Sequence, residues 1–371
     1  MTRVVLAGGG TGGHIFPMRS VAAALLESGL AAESLVYVGS RRGQERALLG
    51  GGPIPLVTLS GRGLRRSMRA SAVRENLGAL VGLAVASVRA WFLFARWRPS
   101  VVVSFGGYAA LPAGLAAVLW RRPLVLVDLD ATPGATQRLL ARFARARCVA
   151  HGASGPRDVV TGVPLREEIS SLSRDDDARR RARSEFSPPI TEERLVLVVM
   201  TGSLGARSVN DAVSELARLW SARSDVTILH VTGRRDVDRV RSRTPHLESL
   251  DYRTYDFADM STIWQVADVA LCRAGATTLA ELCALGIPSV LVPLPGAPGD
   301  HQGQNARRLA DAGAAVVLED RAMTGERLAA ALDGLIANGR YLEVGRAARD
   351  LARPDAARAI GDVVRRVGGF A

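Results

Sequence analysis

Residues 7–17 read AGGGTGGHIFP, in which Gly8, Gly10 and Gly13 satisfy the spacing G-x-G-x-x-G. Such a turn between a strand and a helix lets backbone N–H groups approach a phosphate, with the positive end of the helix dipole behind them. His14 follows at the mouth of the expected helix, where an imidazole could act as a general base. Two further stretches repeat the theme, SFGGY at 104–108 and TGSLGARS at 201–208. Three glycine-rich loops together could cradle two separate phosphate groups. Two phosphorylated ligands on one protein suggest a transferase. An NAD-dependent oxidoreductase is opposed by its own requirement for an acid at the end of the second strand, to hold the ribose. Here LVYVGS ends on Gly39 and Ser40, and Arg41 and Arg42 follow.

The loops need strands and helices to hold them. In the first half RVVLAG, LVYVGS, SVVVSFGG, PLVLVDLD and ARCVAHG are short apolar runs that end in glycine or polar residues. Helical stretches such as SVAAALLESG and ALPAGLAAVLW lie between them. The second half repeats the plan with RLVLVVMTGS, VTILHVTG, DVALCRAG and PSVLVPLP, joined by stretches such as ARSVNDAVSELARLW and ATTLAELCALG. Near-continuous apolar strands alternating with helices predict parallel sheets buried on both faces. Between the halves stand TGVPLREE and the polar run SRDDDARRRARSEFSPP, a composition shift that places a boundary near residue 165. The expected class is α/β, with two doubly wound Rossmann-like domains, 1–165 and 166–371, facing a cleft. The last helix is free to pack back on the first domain. Ligands of such sheets bind at the C-terminal ends of the strands.

Bulk properties agree with a soluble-type core. The chain has 371 residues, 48% of them hydrophobic, enough for two domains. The three cysteines, Cys148, Cys272 and Cys283, are too few and too odd for a disulfide framework, so a reducing cytoplasm is expected. MTRVVLAGGG runs straight into a strand without the apolar region of a signal peptide, so export is not expected. The net charge is +12, and every basic residue except histidine is arginine. That surplus attracts polyanions and anionic membranes. No zinc-finger spacing, RNA-binding aromatic signature or helix-turn-helix is present, which argues against nucleic acid. Residues 62–98 combine clustered arginines with Leu77, Leu80, Val81, Leu83, Val85, Val88, Trp91, Phe92, Phe94 and Trp97. Arg89, Gly78 and Gly82 interrupt the apolar run, which predicts a helix lying on an anionic membrane surface rather than crossing it. A core helix is the competing expectation, and both hold if one face packs and the other meets lipid.

GGTGGHIFP, SFGGY, GVPLR, GSLGAR, CRAGATTLAE and DHQGQNA, in that order over nearly the whole chain, resemble the MurG family of GT-B glycosyltransferases. That family moves N-acetylglucosamine (GlcNAc) from UDP-GlcNAc onto lipid I, an undecaprenyl-diphosphate-linked muramyl peptide, as a peripheral protein on the cytoplasmic face of the cell membrane. The resemblance implies a nucleotide loop at Ala276, Thr277, Thr278, Leu279, Ala280 and Glu281, with Glu281 on the ribose hydroxyls. A carboxylate can accept both of those hydrogen bonds; the ordinary alternative is an acid in the first turn of a helix. It further implies Ser203 with the backbone of Gly202 and Gly205 on the pyrophosphate, Arg166 near the donor phosphates, and the Phe257 backbone on the uracil. Gln302 and Asn305 would hold the sugar.

The acceptor would be surrounded by Thr11, Gly12, Gly13, His14, Gly106, Gly107 and Tyr108, with Thr11, Gly12 and Gly13 also reaching the donor. The family type inverts C1 in one displacement by the muramyl 4-hydroxyl, for which His14 is the candidate base. The resemblance implies neither a catalytic metal nor a cofactor, because GT-B enzymes of this kind absorb the charge growing on the UDP oxygen with loop amides and a helix N-terminus. Two departures stand out. Val127-Asp128-Leu129-Asp130 replaces the family's His-Glu-x-Asn, so Asp130 stands for an asparagine expected on the donor sugar, and an ionised aspartate cannot donate. Leu204 replaces a glutamine, which leaves the backbone donors of that loop intact. Asp128 and Asp130 keep open a related GT-B transferase with another UDP-sugar or another lipid or natural-product acceptor. A non-catalytic membrane-binding module would need neither Glu281 nor the donor loops.

Overall fold

The computed structural model describes residues 3–60, 70–202, 205–244 and 246–370, with 70–75 as backbone only. Ser203, Leu204 and the basic cluster Arg65, Arg66 and Arg69 lie outside the described residues. The chain divides into two compact units, Met1–Arg166 with Arg353–Ala371, and Glu167–Ala352.

The first unit is built on strands β1 (Val4–Ala7), β2 (Leu35–Ser40), β3 (Leu56–Leu59), β4 (Val101–Ser104), β5 (Leu124–Asp128), β6 (Ala146–Val149) and β7 (Asp158–Val160). They form a parallel sheet of order β3-β2-β1-β4-β5-β6-β7. The central strands are apolar on both faces because helices cover both, and β1 is buried throughout. Val5 pairs with Val36 on one side and Val102 on the other. The order reverses between β1 and β4, and there the connections leave on opposite faces and open a crevice at the C-terminal strand ends. The second unit holds β8 (Leu195–Met200), β9 (Val226–Val231), β10 (Asp251–Tyr255), β11 (Val269–Cys272), β12 (Ser289–Leu291) and β13 (Val316–Val317). Their order, β10-β9-β8-β11-β12-β13, puts the switch between β8 and β11. Both units are thus Rossmann-like. The edge strands β3, β7, β10 and β13 escape the sequence pattern. An edge strand has one neighbour and stays partly exposed, so it lacks a continuous apolar run.

Two helices bear on where the chain divides in sequence. Within the polar run Asp176–Ser184 is a helix of the second unit, capped by Asp175, whose carboxylate accepts from Ala178 N–H at 2.7 Å. Its Arg183 reaches Asp268 at 2.7 Å, and Asp268 also accepts from Val196 N–H at 2.8 Å, which locks the helix to the start of β8. The final helix, Ala356–Gly368, belongs to the first unit, where Gly361 lies against Ala24 and Leu25. The helix Ala70–Trp97 buries Ala79, Ala86, Ala90 and Phe94, a stripe at helical spacing of which Ala86, Ala90 and Phe94 join the core of the first unit. Its other face leaves Leu77, Leu80, Val81, Val85, Val88, Trp91 and Phe92 exposed. By length and composition it could cross a membrane, but the packed stripe ties it to the sheet.

Candidate active site

In the first unit the loops after β1 and β4 meet at the switch. Gly8 lies so close to Phe105 that a Cβ there would sit 3.0 Å from the Phe105 Cβ. Gly107, at φ +72°, brings its Cα beside the Gly9 carbonyl, and a Cβ would come within 2.7 Å of it. Only glycine permits that approach at positive φ. His14 stands over the same spot, its ring 3.6 Å from where a Gly106 Cβ would be and 3.7 Å from that of Gly107. Thr11 Oγ1 lies 3.4 Å from His14 Nδ1. Thr11 is the N-cap of the helix Gly12–Glu27 but makes no side-chain cap bond, and the first turn carries no acid. The N–H groups of Gly12 and Gly13 thus open a 16-residue helix whose N-terminus suits an anion. The candidates Thr11, Gly12, Gly13, His14, Gly106 and Gly107 are brought together. Tyr108 joins them from behind: its ring packs 3.3 Å from the Cβ position of Gly10, and its hydroxyl donates to Ser40 Oγ at 3.1 Å.

Glu45, absent from the sequence candidates, explains how this loop differs from a dinucleotide turn. It is fully buried, and its Oε1 accepts from Gly10 N–H at 2.9 Å and Ser40 N–H at 2.8 Å. Gly9, Gly39 and Gly43 make its room, since a Cβ at any of them would collide with the carboxyl group. The acid sought at the end of β2 therefore stands five residues beyond Ser40. It turns inward to hold the loop, consuming an N–H that a dinucleotide site would aim at pyrophosphate. Its only sequence signal was its distance after the second strand. Gln137, also missed, joins the ends of β4 and β5: it accepts from Ser104 Oγ at 2.8 Å and donates to the Val127 carbonyl at 3.0 Å.

Arg166 is half-buried, with its guanidinium 5.0 Å from the centre of the Phe16 ring. The hinge arginine is thus seated by a cation–π contact one residue beyond Ile15 of the loop helix, rather than left as a solvated surface charge. Asp130 is half-buried beyond β5. Asp128 pairs with Arg147 at 3.0 Å, and Arg147 also reaches Asp158 at 3.2 Å. Burial pushes the Asp128 carboxyl up, against the Arg147 charge that pulls it down.

In the second unit the loops after β8 and β11 again flank the switch. Gly202 and Gly205 hold φ of +88° and +77°, and the helix Arg207–Leu219 follows without a side-chain cap. The helix Ala276–Leu285, also without a side-chain cap, begins after β11. Ala276, Thr277, Thr278, Leu279 and Ala280 form its first turn and a half. Glu281 sits in the second turn, so the expectation of a first-turn acid is corrected: the helix carries no acid there. It is buried, and its Oε2 accepts from Trp264 Nε1–H at 3.0 Å, which fixes the carboxylate's rotamer. Gln302 Oε1 accepts from Ala274 N–H at 3.2 Å and Leu294 N–H at 2.9 Å, leaving its NH₂ as the group that can face a ligand. Asn305 is buried and donates to the Ala274 carbonyl at 3.2 Å. Both amides therefore tie the helix His301–Asp311 to the ends of β11 and β12, beyond any role on sugar. Phe257 is exposed; its N–H donates to Asp256 Oδ1 at 2.8 Å, so on the backbone the carbonyl remains for a base. Arg273 was also missed: it bonds the Val292 carbonyl at 3.1 Å and Asp320 at 2.6 Å. Among the described residues no group of three or more His, Cys, Asp or Glu side chains could hold a metal.

The Glycosyltransferase family 28 N-terminal domain matches residues 4–149, and its C-terminal domain matches residues 196–360. A UDP-N-acetylglucosamine--N-acetylmuramyl-(pentapeptide) pyrophosphoryl-undecaprenol N-acetylglucosamine transferase of Symbiobacterium thermophilum is 40% identical, covering 100% of this chain and 96% of its own. The protein of the same name from Moorella thermoacetica is 38% identical, covering 98% of each. The crystal structure of Acinetobacter baumannii MurG superposes with a TM-score of 0.78 at 28% identity, over 99% of this chain and 100% of that one. The glycosyltransferase VinC, in complex with DTDP, shares the fold at a TM-score of 0.68 and 14% identity, over 99% of this chain and 100% of its own.

Proposed function

The chain belongs to the MurG family of family 28 glycosyltransferases, and from that premise we propose how its residues divide the work of one reaction. It is a UDP-GlcNAc-dependent N-acetylglucosaminyltransferase, which moves GlcNAc from UDP-GlcNAc to the 4-hydroxyl of the muramyl sugar of lipid I, in peptidoglycan synthesis. The observation that carries this reading is the full-length kinship, 40% identical over 382 residues, to a protein named for that activity.

The first unit takes the acceptor. Its diphosphate meets the N–H groups of Gly12 and Gly13 and the glycine backbone of Gly106 and Gly107. His14 lies over Gly106 and Gly107 and takes the proton of the attacking hydroxyl. The second unit takes the donor. Glu281, held by Trp264, accepts from the ribose hydroxyls, and the Phe257 carbonyl receives the uracil N–H. The Gln302 NH₂ and Asn305 bind the sugar, with Asp130 accepting from it, and Thr11 also reaches the donor. As C1 inverts, charge grows on the UDP oxygen. The loop Gly202–Gly205 with Ser203, the helix N-termini at Arg207 and Ala276, and Arg166 stabilise it. The exposed apolar face of Ala70–Trp97 settles into the headgroup region of the cytoplasmic leaflet, where the acceptor's polyprenyl tail is anchored.

The test is transfer of radiolabel from UDP-GlcNAc to a lipid I analogue, with UDP-glucose and UDP-N-acetylgalactosamine as competing donors. Labelled disaccharide product from UDP-GlcNAc is expected. Preferential use of another sugar would move the assignment to a related GT-B transferase, for which Asp128 and Asp130 supply the departure.

A further inference from the structure

Behind the loop Gly202–Gly205 runs a buried chain of polar side chains that touch no part of the proposed ligand positions. Asn210, on the helix Arg207–Leu219, is fully buried, and its Nδ2 lies 3.1 Å from the Thr232 carbonyl and 2.8 Å from Asp236 Oδ2. Both neighbours can only accept, so the orientation of the amide is fixed and Oδ1 faces the other way. There it meets His230 Nε2 at 3.0 Å, which must carry a hydrogen. Burial holds the fully enclosed imidazole neutral, pushing it down to about 3. A neutral ring has one donor, so Nδ1 accepts, and the Tyr252 hydroxyl at 2.7 Å is its donor. Every hydrogen in the chain from Tyr252 through His230 to Asn210 has one direction.

The far end of that chain is the loop itself. A Cβ on Gly205 would lie 2.6 Å from the Thr232 carbonyl, 3.0 Å from Asp236 Oδ2 and 3.5 Å from Asn210 Nδ2. Gly205 N–H donates to the Gly202 carbonyl at 2.9 Å. A Cβ on Gly233 would strike Gly205 N at 2.4 Å. The backbone at Gly205 rests directly on the two acceptors that Asn210 holds in place.

We infer that Asn210 and His230, backed by Tyr252, are positioning residues for the donor diphosphate: they fix where the backbone runs at Gly205 without touching ligand. The inference rests on the reading that this loop receives the diphosphate. A residue that only stabilises the fold would affect nucleoside and nucleotide binding alike. A residue that aims the loop affects the phosphates alone, because uracil and ribose are held elsewhere.

The experiment compares the Kd of UDP with that of uridine, in the full chain, for wild type, His230→Phe, Tyr252→Phe and Gly205→Ala. His230→Phe is expected to weaken UDP by about tenfold or more, the worth of one misplaced hydrogen bond, while uridine changes less than about twofold and the acceptor KM holds. Tyr252→Phe, which deletes one oxygen at the distal end, shows the same selectivity at smaller size and carries the measurement if His230→Phe does not fold. Equal losses on UDP and uridine, or no loss on UDP, overturn the inference. Gly205→Ala separates the premise from the inference. If it leaves UDP binding unchanged, the loop is not the diphosphate site. If it weakens UDP while both network variants bind as wild type, the premise stands and the positioning role fails.

Discussion

At the scale of single residues, the site is governed by which hydrogen-bonding groups the fold has already claimed. Glu281 keeps its carboxylate aimed by the Trp264 indole at 3.0 Å. Glu281→Gln retains the shape but replaces one acceptor oxygen by a donor, which either repels the indole N–H or meets a ribose hydroxyl with the wrong polarity. The donor KM should rise about tenfold with a smaller change in kcat. Trp264→Phe should reproduce part of that rise; an unchanged donor KM in both variants removes Glu281 from the ribose. His14 Nδ1 lies 3.4 Å from Thr11 Oγ1, a long contact for a hydrogen bond. As the base, it makes His14→Ala lose roughly 10²–10⁴ in kcat with UDP binding intact. A rise confined to the acceptor KM would instead assign it to the acceptor diphosphate. Wild-type binding of that acceptor would then tighten as pH falls and the imidazole charges.

At the scale of elements, one helix serves two surroundings. Ala70–Trp97 spends its small residues, Ala79, Ala86 and Ala90, together with Phe94, on close packing and turns Leu77, Leu80, Val81, Val85, Val88, Trp91 and Phe92 outward. Phe92 is 63% exposed, Val81 58% and Val85 56%, so replacing the three by Ser removes little from the core. Binding to anionic vesicles should fall at least about tenfold, since each inserted side chain of this size is worth roughly 1.5–3 kcal/mol. The thermal midpoint and transfer to a short-chain soluble acceptor should stay near wild type. Arg65, Arg66 and Arg69 flank this helix in sequence. Their replacement by Ser should weaken vesicle binding by about 1 kcal/mol per charge at low salt and less at high salt. Vesicle binding that ignores both sets of substitutions would move the docking surface elsewhere.

At the scale of the whole molecule, acid should unfold this protein through a group that never meets substrate. His230 titrates near 6.5 in an unfolded chain but is pushed down to about 3 in the folded one. Below pH 6.5 the unfolded state binds a proton that the folded state refuses, so the contribution is full above 6.5 and is lost as pH falls toward 3. The folding constant should drop about tenfold per pH unit across that window. Asp128, raised by burial, acts with the opposite sign nearer the carboxylate range, so His230→Phe is the control. Denaturant midpoints should show the slope in wild type and its loss in the variant; equal slopes would contradict the burial of a neutral ring.

Two parallel sheets, their central strands and the order of the glycine loops were legible in the amino-acid sequence, because apolar runs and glycine spacing report local requirements. The chain could not hide β1, β4, β8 or β11: a strand covered on both faces must be apolar throughout. The candidates on those strand ends were legible for the same reason, since a loop that leaves a buried strand next to a helix N-terminus is a local pattern. Edge strands were not legible, because partial exposure removes the pattern. Nor was the destination of any polar side chain. SRRGQE gives no sign that Glu45 turns back to hold Gly10, because that bond spans 35 positions and exists only once β1 and β2 are paired. VTILHV reads as a strand whether or not its histidine meets Asn210 and Tyr252. Residue type and spacing determined which backbone could form; only the packed sheets decided which polar atoms that backbone had left to spend on a ligand.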